Sequence, residues 1–411
     1  MSIPLPEDIG LRIKAVLPEA RALRHELHRI PEIAGEECKT AALLRERLAA
    51  LPVTVLPPFL GTDVVGLIEG TGGRASSRAA GGNVTLRADI DALPMAEASG
   101  KAYASTHAGM MHACGHDGHA AMLWGAVRVL SEIREAWRGS VRFIFQPGEE
   151  MKAMARPLLE AGAMDAPKAD WVFGLHGWPG LAENAVTSRA GTIMASAGAF
   201  RIRVIGRGGH GARPELACNP MNALPVLIPA LHGVSKFNDG DGDVAATIFR
   251  EKTVVTVCHV EGGSNANIIP SEVLVEGTTR TLNDEDTVAM EKVIKDTMNT
   301  GLETCATLRY ALEYEVRYPP TVCDAEAVAL IKECTGAVYM GDAEPSMGAE
   351  DFAYYTRRAR GAYAFIGMGT AWPPLHTPEF DFNDEILETG IALLVSLVLN
   401  LQGQANAFRR G

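Results

Sequence analysis

The sequence lacks an apolar run long enough to cross a bilayer. Its longest such stretch, residues 391–399, contains Ser396 and predicts a buried C-terminal helix instead. Basic residues are in deficit, with 38 Lys and Arg against 50 Asp and Glu, so the formal net charge is −12. Because such a surface repels phosphate groups, we expect neither nucleic acid nor an anionic membrane as a partner.

Cysteine is sparse, and its pattern argues against a disulfide framework. The seven cysteines are odd in number and scattered along the chain. Residues 1–10 contain two acidic residues and no basic segment ahead of an apolar run, so they do not predict a secretory signal. We therefore expect reduced thiols and a cytoplasmic location.

The 411 residues predict two domains, the first of which alternates helices and strands. Pro18 is expected to break the first helix into two, and the segment Gly70–Gly82 to form an exposed loop. Apolar spacing predicts helices over 8–29, 38–50 and 119–137, and strands over 62–68, 84–88, 140–145 and 171–176. This order predicts an α/β fold with a mixed, mostly parallel sheet flanked by helices.

The middle of the chain predicts an inserted ferredoxin-like domain with the order βαββαβ. Its elements are a strand at 199–206, a helix at 219–236, strands at 253–260 and 271–281, a helix at 284–300 and a strand at 305–316. The α/β pattern then resumes, with a helix at 324–336, a strand at 361–367 and a helix at 383–401. We therefore expect a catalytic domain in two parts, 1–190 and 318–411, around a lid and dimerisation domain at 191–317. Because an exposed sheet edge invites pairing, a homodimer is expected and a tetramer is left open.

Imidazoles and a thiol cluster in one short stretch. Thirteen residues contain Cys114 and four histidines, namely His107, His112, His116 and His119. A lone histidine is more often a structural residue than a ligand. Thiolate and imidazole together suit zinc or a similar transition metal, and glycines 115 and 118 allow close backbone approach. The cluster therefore predicts a metal site.

Further candidate ligands follow other predicted strands. Glu149 and Glu150 follow an apolar strand, and adjacent residues at a strand end point in opposite directions, so one could bind metal while the other acts as a base. His176 ends a second strand, and His376 lies in a loop stiffened by prolines. Each alone is more often structural, but together these residues suffice for two metal ions that share ligands.

Four more polar residues could support such a site. Asp91 follows a strand and could orient a metal ligand. In the insert, His210, Asn267 and Arg280 could donate hydrogen bonds to a carboxylate or carbonyl oxygen, although structural roles are equally common. The glycines around His210 do not form a phosphate-binding loop, because no Gly-Lys-Ser/Thr sequence follows them.

These motifs, in this order, resemble the amidohydrolase branch of the co-catalytic metallo-aminoacylase and carboxypeptidase family. That branch includes hippurate hydrolase, N-acyl-amino-acid amidohydrolases and auxin-conjugate hydrolases. The resemblance covers nearly the whole chain. It rests on residues 27–32 (Leu-His-Arg-Ile-Pro-Glu), 87–94 (Arg-Ala-Asp-Ile-Asp-Ala-Leu-Pro), 112–119 (His-Ala-Cys-Gly-His-Asp-Gly-His), 146–150 (Gln-Pro-Gly-Glu-Glu), 208–210 (Gly-Gly-His), 350–352 (Glu-Asp-Phe) and 376–380 (His-Thr-Pro-Glu-Phe).

The resemblance implies roles that the residues alone leave open, since they do not distinguish His116 from His112 or His119. Glu149 would be the general base, and His210 would reach the active site of a partner subunit. Asn267 and Arg280 would contact the substrate. The implied ligands of two divalent ions (zinc, manganese, nickel or cobalt) are Cys114, His116, Glu150, His176 and His376. The sequence Gly-Ala-Arg-Pro after His210 departs from the Ala-Ser-x-Pro frequent in relatives.

The implied reaction is hydrolysis of N-acyl amino acids, small molecules with an aromatic or aliphatic acyl group, to a carboxylic acid and a free amino acid. A dipeptidase or an N-carbamoyl-amino-acid hydrolase is the alternative on the same two ions. A hydrolase with Cys114 as nucleophile would leave the Glu pair, His176 and His376 unexplained. A structural zinc site would close its shell with four Cys or His ligands, whereas here carboxylates accompany them.

Overall fold

The computed structural model describes residues 3–72, 82–236, 248–302 and 307–403. Most of the predicted loop at 70–82 therefore lies outside the described residues. The chain divides into two compact units, each considered by itself below. The first comprises Met1–Ile193, Val322–Glu344 and Asp351–Gly411, and the second comprises Met194–Thr321 and Pro345–Glu350.

The helices are numbered here in chain order. They are α1 (Glu7–Arg29), α2 (Cys38–Ala49), α3 (His116–Glu132), α4 (Glu149–Lys152), α5 (Ala155–Glu160), α6 (Leu224–His232), α7 (Asp284–Leu302), α8 (Ala325–Thr335), α9 (Ala353–Thr356) and α10 (Leu387–Gln402). None of the helices in the described part of the chain is both long and apolar enough to span a bilayer.

The strands are numbered in the same way. They are β1 (Thr54–Val55), β2 (Val64–Thr71), β3 (Asn83–Asp89), β4 (Arg138–Gln146), β5 (Trp171–Pro179), β6 (Val186–Ser188), β7 (Gly191–Met194), β8 (Ala197–Ile205), β9 (Gly209–His210), β10 (Thr253–Gly262), β11 (Ile268–Ile269), β12 (Glu272–Thr281), β13 (Arg309–Tyr318), β14 (Thr321–Cys323), β15 (Tyr339–Asp342) and β16 (Arg360–Gly369).

The first unit is built on an eight-stranded sheet with the order β1-β2-β4-β3-β5-β16-β6-β15. The central strands β4, β3, β5 and β16 are parallel to one another, while β2 pairs antiparallel with β4 and β6 pairs antiparallel with β16. These central strands are almost entirely buried, as expected for parallel strands covered on both faces. The predicted α/β fold with a mixed, mostly parallel sheet is confirmed, and the carboxyl ends of β3, β4 and β5 meet at one edge.

Helix α1 is continuous through Pro18, so the predicted break is wrong. Proline removes one backbone hydrogen bond and crowds the preceding turn, which costs about 3 kcal/mol in a helix interior. The apolar face of α1 outweighs this cost by packing against α3 and α10. That face consists of the buried residues Ile9, Ile13, Val16, Ala20, Leu23 and Leu27.

Helix α3 begins at His116, three residues before the predicted start at 119. Gly115 immediately precedes it with φ +87°, a conformation that glycine adopts without a Cβ clash. A Cβ at Gly118 would lie 2.4 Å from the ring of Phe382. The glycines therefore allow the helix to start early and against an aromatic ring, which places His116 and His119 one turn apart on it.

The second unit contains the predicted βαββαβ order, formed by β8, α6, β10, β12, α7 and β13. Its antiparallel sheet has the order β10-β12-β8-β13. Apolar residues of α6 and α7, such as Leu227 and Met290, form one core with strand residues such as Ile202. The predicted helix at 219–236 was too long, because Pro220–Ala223 forms a 3₁₀ turn before α6, with proline in its favoured first position.

Candidate active site

The five predicted metal ligands converge in the first unit. Cys114 Sγ lies 3.4 Å from His176 Nε2 and 3.3 Å from His376 Nε2. Two groups of ligand atoms within 4.8 Å of one another result, Cys114–His116–His176 and Cys114–Glu150–His376. We call them the first trio and the second trio. Because both include Cys114, one sulfur could serve two ions.

Hydrogen bonding suits His116, unlike His119, to bind a metal ion. Its Nδ1 lies 3.1 Å from Asp91 Oδ1 and 3.0 Å from the Asp91 carbonyl oxygen. Its Nε2 is buried and has no hydrogen-bond partner among the described residues. With Nδ1 carrying the proton, Nε2 presents a lone pair toward the other ligands, as expected of a metal-binding imidazole.

The other histidines of the stretch are engaged or lie apart. His119 Nδ1 lies 2.6 Å from Asp89 Oδ1, and its Nε2 accepts the Gly177 N–H at 2.9 Å, so neither ring nitrogen is left for an ion. His107 Nδ1 lies 2.7 Å from the Pro31 carbonyl oxygen, and its Nε2 lies 3.1 Å from Lys39 Nζ. Both ring nitrogens of His112 are buried without a hydrogen-bond partner among the described residues, but His112 belongs to neither trio.

Carboxylates surround the first trio and favour positive charge there. Burial alone would lower the pKa of His116, but Asp89, Asp91 and Glu150 raise it to about 10. An environment that stabilises imidazolium so strongly would stabilise a bound cation by the same attraction. Together with the free Nε2 of His116 and the thiolate and imidazole donors, this electrostatic field fits a pair of divalent ions.

The surroundings of Cys114 argue against a nucleophilic cysteine. Burial and the neighbouring carboxylates of Glu150, Glu149 and Asp89 raise the pKa of its thiol well above the usual value. A nucleophilic cysteine needs the opposite, a pKa lowered by nearby positive charge. Bound cations would supply that charge, so the sulfur is suited to be a ligand.

The two glutamates reach the site by a different route from the predicted one. They open the short helix α4 rather than ending a strand, after a turn at Gly148 with φ +66°, so the expectation of opposite directions is wrong. Glu149, Glu150 and His116 have side-chain atoms within 4.8 Å of one another. Glu149 Oε1 also accepts the Asp351 N–H at 3.4 Å. Both carboxylates therefore point toward the first trio.

A buried network that sequence reasoning left without a role lies behind these groups. Arg87 is fully buried and donates to Asp89 at 2.7 Å, to Asp351 at 2.8 Å and to Gln146 at 2.9 Å. It thereby connects the ends of β3 and β4 with the segment that contacts Glu149. The sequence signal for this network is the pair of motifs Arg87-Ala-Asp and Glu350-Asp-Phe, both part of the family resemblance.

The remaining predicted residues belong to the second unit. His210 and Asn267 are exposed on the short ribbon of β9 and β11, where the Gly211 N–H donates to the Asn267 carbonyl at 2.7 Å. Arg280 lies on β12 and its guanidinium donates to the Thr279 carbonyl at 2.8 Å and to the Thr278 hydroxyl. Their roles toward substrate stay predictions.

Comparison with known proteins gives concordant results. The model of the family described as Peptidase family M20/M25/M40 matches residues 85–400. The IAA-amino acid hydrolase ILR1-like 4 of Arabidopsis thaliana is 35% identical over 388 residues, covering 91% of this chain and 84% of that protein. The N-acetyl-L-cysteine deacetylase of Bacillus subtilis is 34% identical, covering 84% and 79%. A Bacillus subtilis structure described as a dinuclear metal binding peptidase superposes with TM-score 0.79 at 29% identity, covering 94% and 99%.

Proposed function

We infer that this chain, which belongs to Peptidase family M20/M25/M40, hydrolyses N-acyl amino acids to a carboxylic acid and a free amino acid. The family resemblance and the metal-dependent hydrolysis of amide bonds are confirmed. The finer proposal is supported by two relatives, one named for an IAA–amino acid substrate and one for removal of an acetyl group from N-acetyl-L-cysteine. The observation that carries it is the pair of trios around Cys114 with Glu149 beside them.

The chain's donors suit two divalent ions. Cys114, His116 and His176 would hold one, and Cys114, Glu150 and His376 the other. When bound, such ions polarise an amide carbonyl and lower the pKa of a water toward neutrality. Thiolate and imidazole ligands favour zinc, nickel or cobalt, and manganese remains a candidate through the family.

Glu149 is proposed as the group that moves the proton. Its carboxylate accepts a proton from the water that attacks the acyl carbon, and the same proton then goes to the leaving nitrogen. The C–N bond breaks as the new C–O bond is completed, so one carboxylic acid and one amine result. The hydrogen bond from the Asp351 N–H to the Glu149 carboxylate would limit rotation of that carboxylate during the transfer.

Residues of the second unit are proposed to recognise the substrate. Arg280 and Asn267 would bind the carboxylate of the amino acid, as a guanidinium and an amide do well. His210 of a second copy of the chain would stabilise the negative charge that develops on the acyl oxygen, an interaction often worth about 3 kcal/mol. Dimerisation would then be required for turnover.

The substrate class is tested by a panel assay of metal-reconstituted protein. N-acetyl, N-benzoyl and indole-acetyl amino acids would be compared with dipeptides and N-carbamoyl amino acids, with release of free amino acid as the readout. We expect the highest kcat/KM for an N-acyl amino acid. Higher kcat/KM for the dipeptides or carbamoyl compounds would reject the proposal in favour of that class.

The base is tested by Glu149→Gln. The amide keeps the shape of the side chain but cannot accept the proton, so turnover should fall by at least about 100-fold, while two ions per chain remain bound. Glu160→Gln, on the exposed surface of the same unit, is the matched control and should keep full activity. Substantial activity in the Glu149 variant would refute the assignment.

A further inference from the structure

A cluster of buried charges lies beside the metal ligands in the first unit. We call it the Arg24 cluster, and it consists of Arg24, Asp117, Asp381, His28 and Tyr103. The Arg24 side chain is 0% exposed. Its Nε donates to Asp117 Oδ2 at 2.8 Å, and its Nη2 donates to Asp381 Oδ1. Its Nη1 also lies 3.5 Å from Asp384 Oδ1. A guanidinium so enclosed depends on these three carboxylates for its charge compensation.

Each carboxylate belongs to a segment that carries a proposed ligand. Asp117 directly follows His116 in α3. Asp381 follows His376 by five residues in the loop between β16 and α10. Its other oxygen accepts the Tyr103 hydroxyl at 2.7 Å, and its backbone carbonyl accepts the Trp372 ring N–H at 2.6 Å. Asp381 is thus one anchor of the loop, beside the His376 N–H that donates to the Ala113 carbonyl at 2.8 Å and the Pro378 carbonyl that accepts the Ala98 N–H at 2.7 Å.

The two trios are held with unequal rigidity. The first trio is buried, with His116 in α3 and His176 within β5. In the second trio, the His376 side chain is 48% exposed and its backbone has φ +60°. A left-handed conformation is unfavourable for a residue with a Cβ and persists where surrounding contacts impose it. The second trio therefore depends on what anchors its loop.

We propose that Arg24 is a positioning residue that, through Asp381, holds the His376 loop in place for the ion of the second trio. Arg24 belongs to α1, and its guanidinium is held by Asp117 of α3. Its bond to Asp381 therefore ties the loop to these two helices. The inference rests on the proposed ligand set. It assigns a role to Arg24, which lies three residues before the first motif of the family resemblance (27–32) and contacts His28 of that motif.

The test measures the affinity of each ion separately in Asp381→Asn. The amide preserves side-chain shape but removes the charge that Arg24 binds. Groups that orient metal ligands typically contribute about 10–100-fold to affinity, so we expect the second ion to bind about 10–100-fold more weakly and the first with unchanged affinity. Titration of metal-free protein with Co²⁺ in competition with a chelator would resolve the two steps, and the cobalt–thiolate absorption would report ligation by Cys114.

The matched control is Glu385→Gln. Glu385 also connects the C-terminal segment to α1, through Arg21 at 2.8 Å, but this ion pair is exposed and lies outside the Arg24 cluster. Both ions should bind this variant as they bind the parent protein. Tyr103→Phe removes one hydrogen bond to Asp381 without changing charge, so it provides a milder second variant with a smaller loss at the second ion alone.

The outcomes separate this inference from the ligand assignment. His376→Ala should abolish binding of the ion of the second trio. If that ion still binds, the proposed ligand set is wrong. If His376→Ala removes the second ion while Asp381→Asn and Tyr103→Phe leave it unchanged, the positioning role is overturned. Equal weakening of both ions, accompanied only by a lower melting temperature, would also overturn it, because that result indicates a merely structural contribution.

Discussion

At the scale of single residues, identity in the sequence did not determine role. His116 and His119 are the same residue type one helical turn apart, and the sequence alone could not choose between them. The structure distinguishes them by partners from distant segments, since the Gly177 N–H occupies the second nitrogen of His119 and leaves that of His116 free. Tertiary folding brings such partners together, so the spacing of residues in the sequence does not reveal them.

Asp91→Asn should weaken metal binding. Asp91 fixes the orientation of His116 and also accepts the Glu150 N–H at 2.9 Å, so it orients one ligand in each trio. We expect about a 10–100-fold loss of metal affinity, measured by chelator competition. Asp165→Asn, an exposed carboxylate in the same unit, is the control. Unchanged affinity for both ions in Asp91→Asn would contradict the assignment.

His28 should give the protein a stability that is lost in alkali. Burial alone would lower its pKa, but Asp117 and Glu97 outweigh burial and raise it to about 9. Because the folded pKa exceeds that of the unfolded chain, the contribution is fully present below pH 6.5 and disappears as the pH rises through 9. The shift corresponds to about 3 kcal/mol.

This dependence is measured by denaturant unfolding of the parent protein and His28→Gln at pH 6, 8 and 10. The difference in free energy of unfolding between the two proteins should shrink by about 3 kcal/mol from pH 6 to pH 10. A difference that stays constant over this range would show that His28 is uncharged in the folded protein. His25→Gln, a partly exposed neighbour on α1, is the control.

At the scale of secondary structure, periodicity located most elements and missed what packing decides. The spacing of apolar residues in α1 predicted a helix there, but local propensity at Pro18 predicted a break. The helix continues because its buried face contacts α3 and α10 over several turns. Likewise, the early start of α3 depends on Phe382 lying against Gly118, a contact between residues far apart in the chain.

Pro18→Ala should stabilise the first unit. The substitution restores a backbone hydrogen bond to the Lys14 carbonyl in an exposed stretch of α1, and should raise the free energy of unfolding by about 1–3 kcal/mol. Lys14→Ala, on the exposed side of the same helix, is the matched control and should change stability by less than about 0.5 kcal/mol. Destabilisation by Pro18→Ala would show that the surroundings require proline there.

At the scale of the whole molecule, the two units should respond differently to metal. All five proposed ligands lie in the first unit, and an ion stabilises only the state that binds it, by about 2.7 kcal/mol at 100 times its Kd. Hydrogen exchange should therefore slow in α3 and β5 when Zn²⁺ is added to metal-free protein. Amides of α7 and β13 in the second unit serve as the internal comparison, and equal slowing there would contradict a site confined to the first unit.

The position of β16 has a consequence for synthesis on the ribosome. This strand lies between β5 and β6 in the sheet, yet its residues follow the whole second unit in the chain. The nascent polypeptide therefore completes the βαββαβ segment while the edge of β5 that pairs with β16 is still unpaired. Translation proceeds at about 5–20 residues per second, and the segment between the end of β5 and the start of β16 must be made first. The edge of β5 therefore stays unpaired for about ten seconds or more, and chaperones would protect it most during that interval.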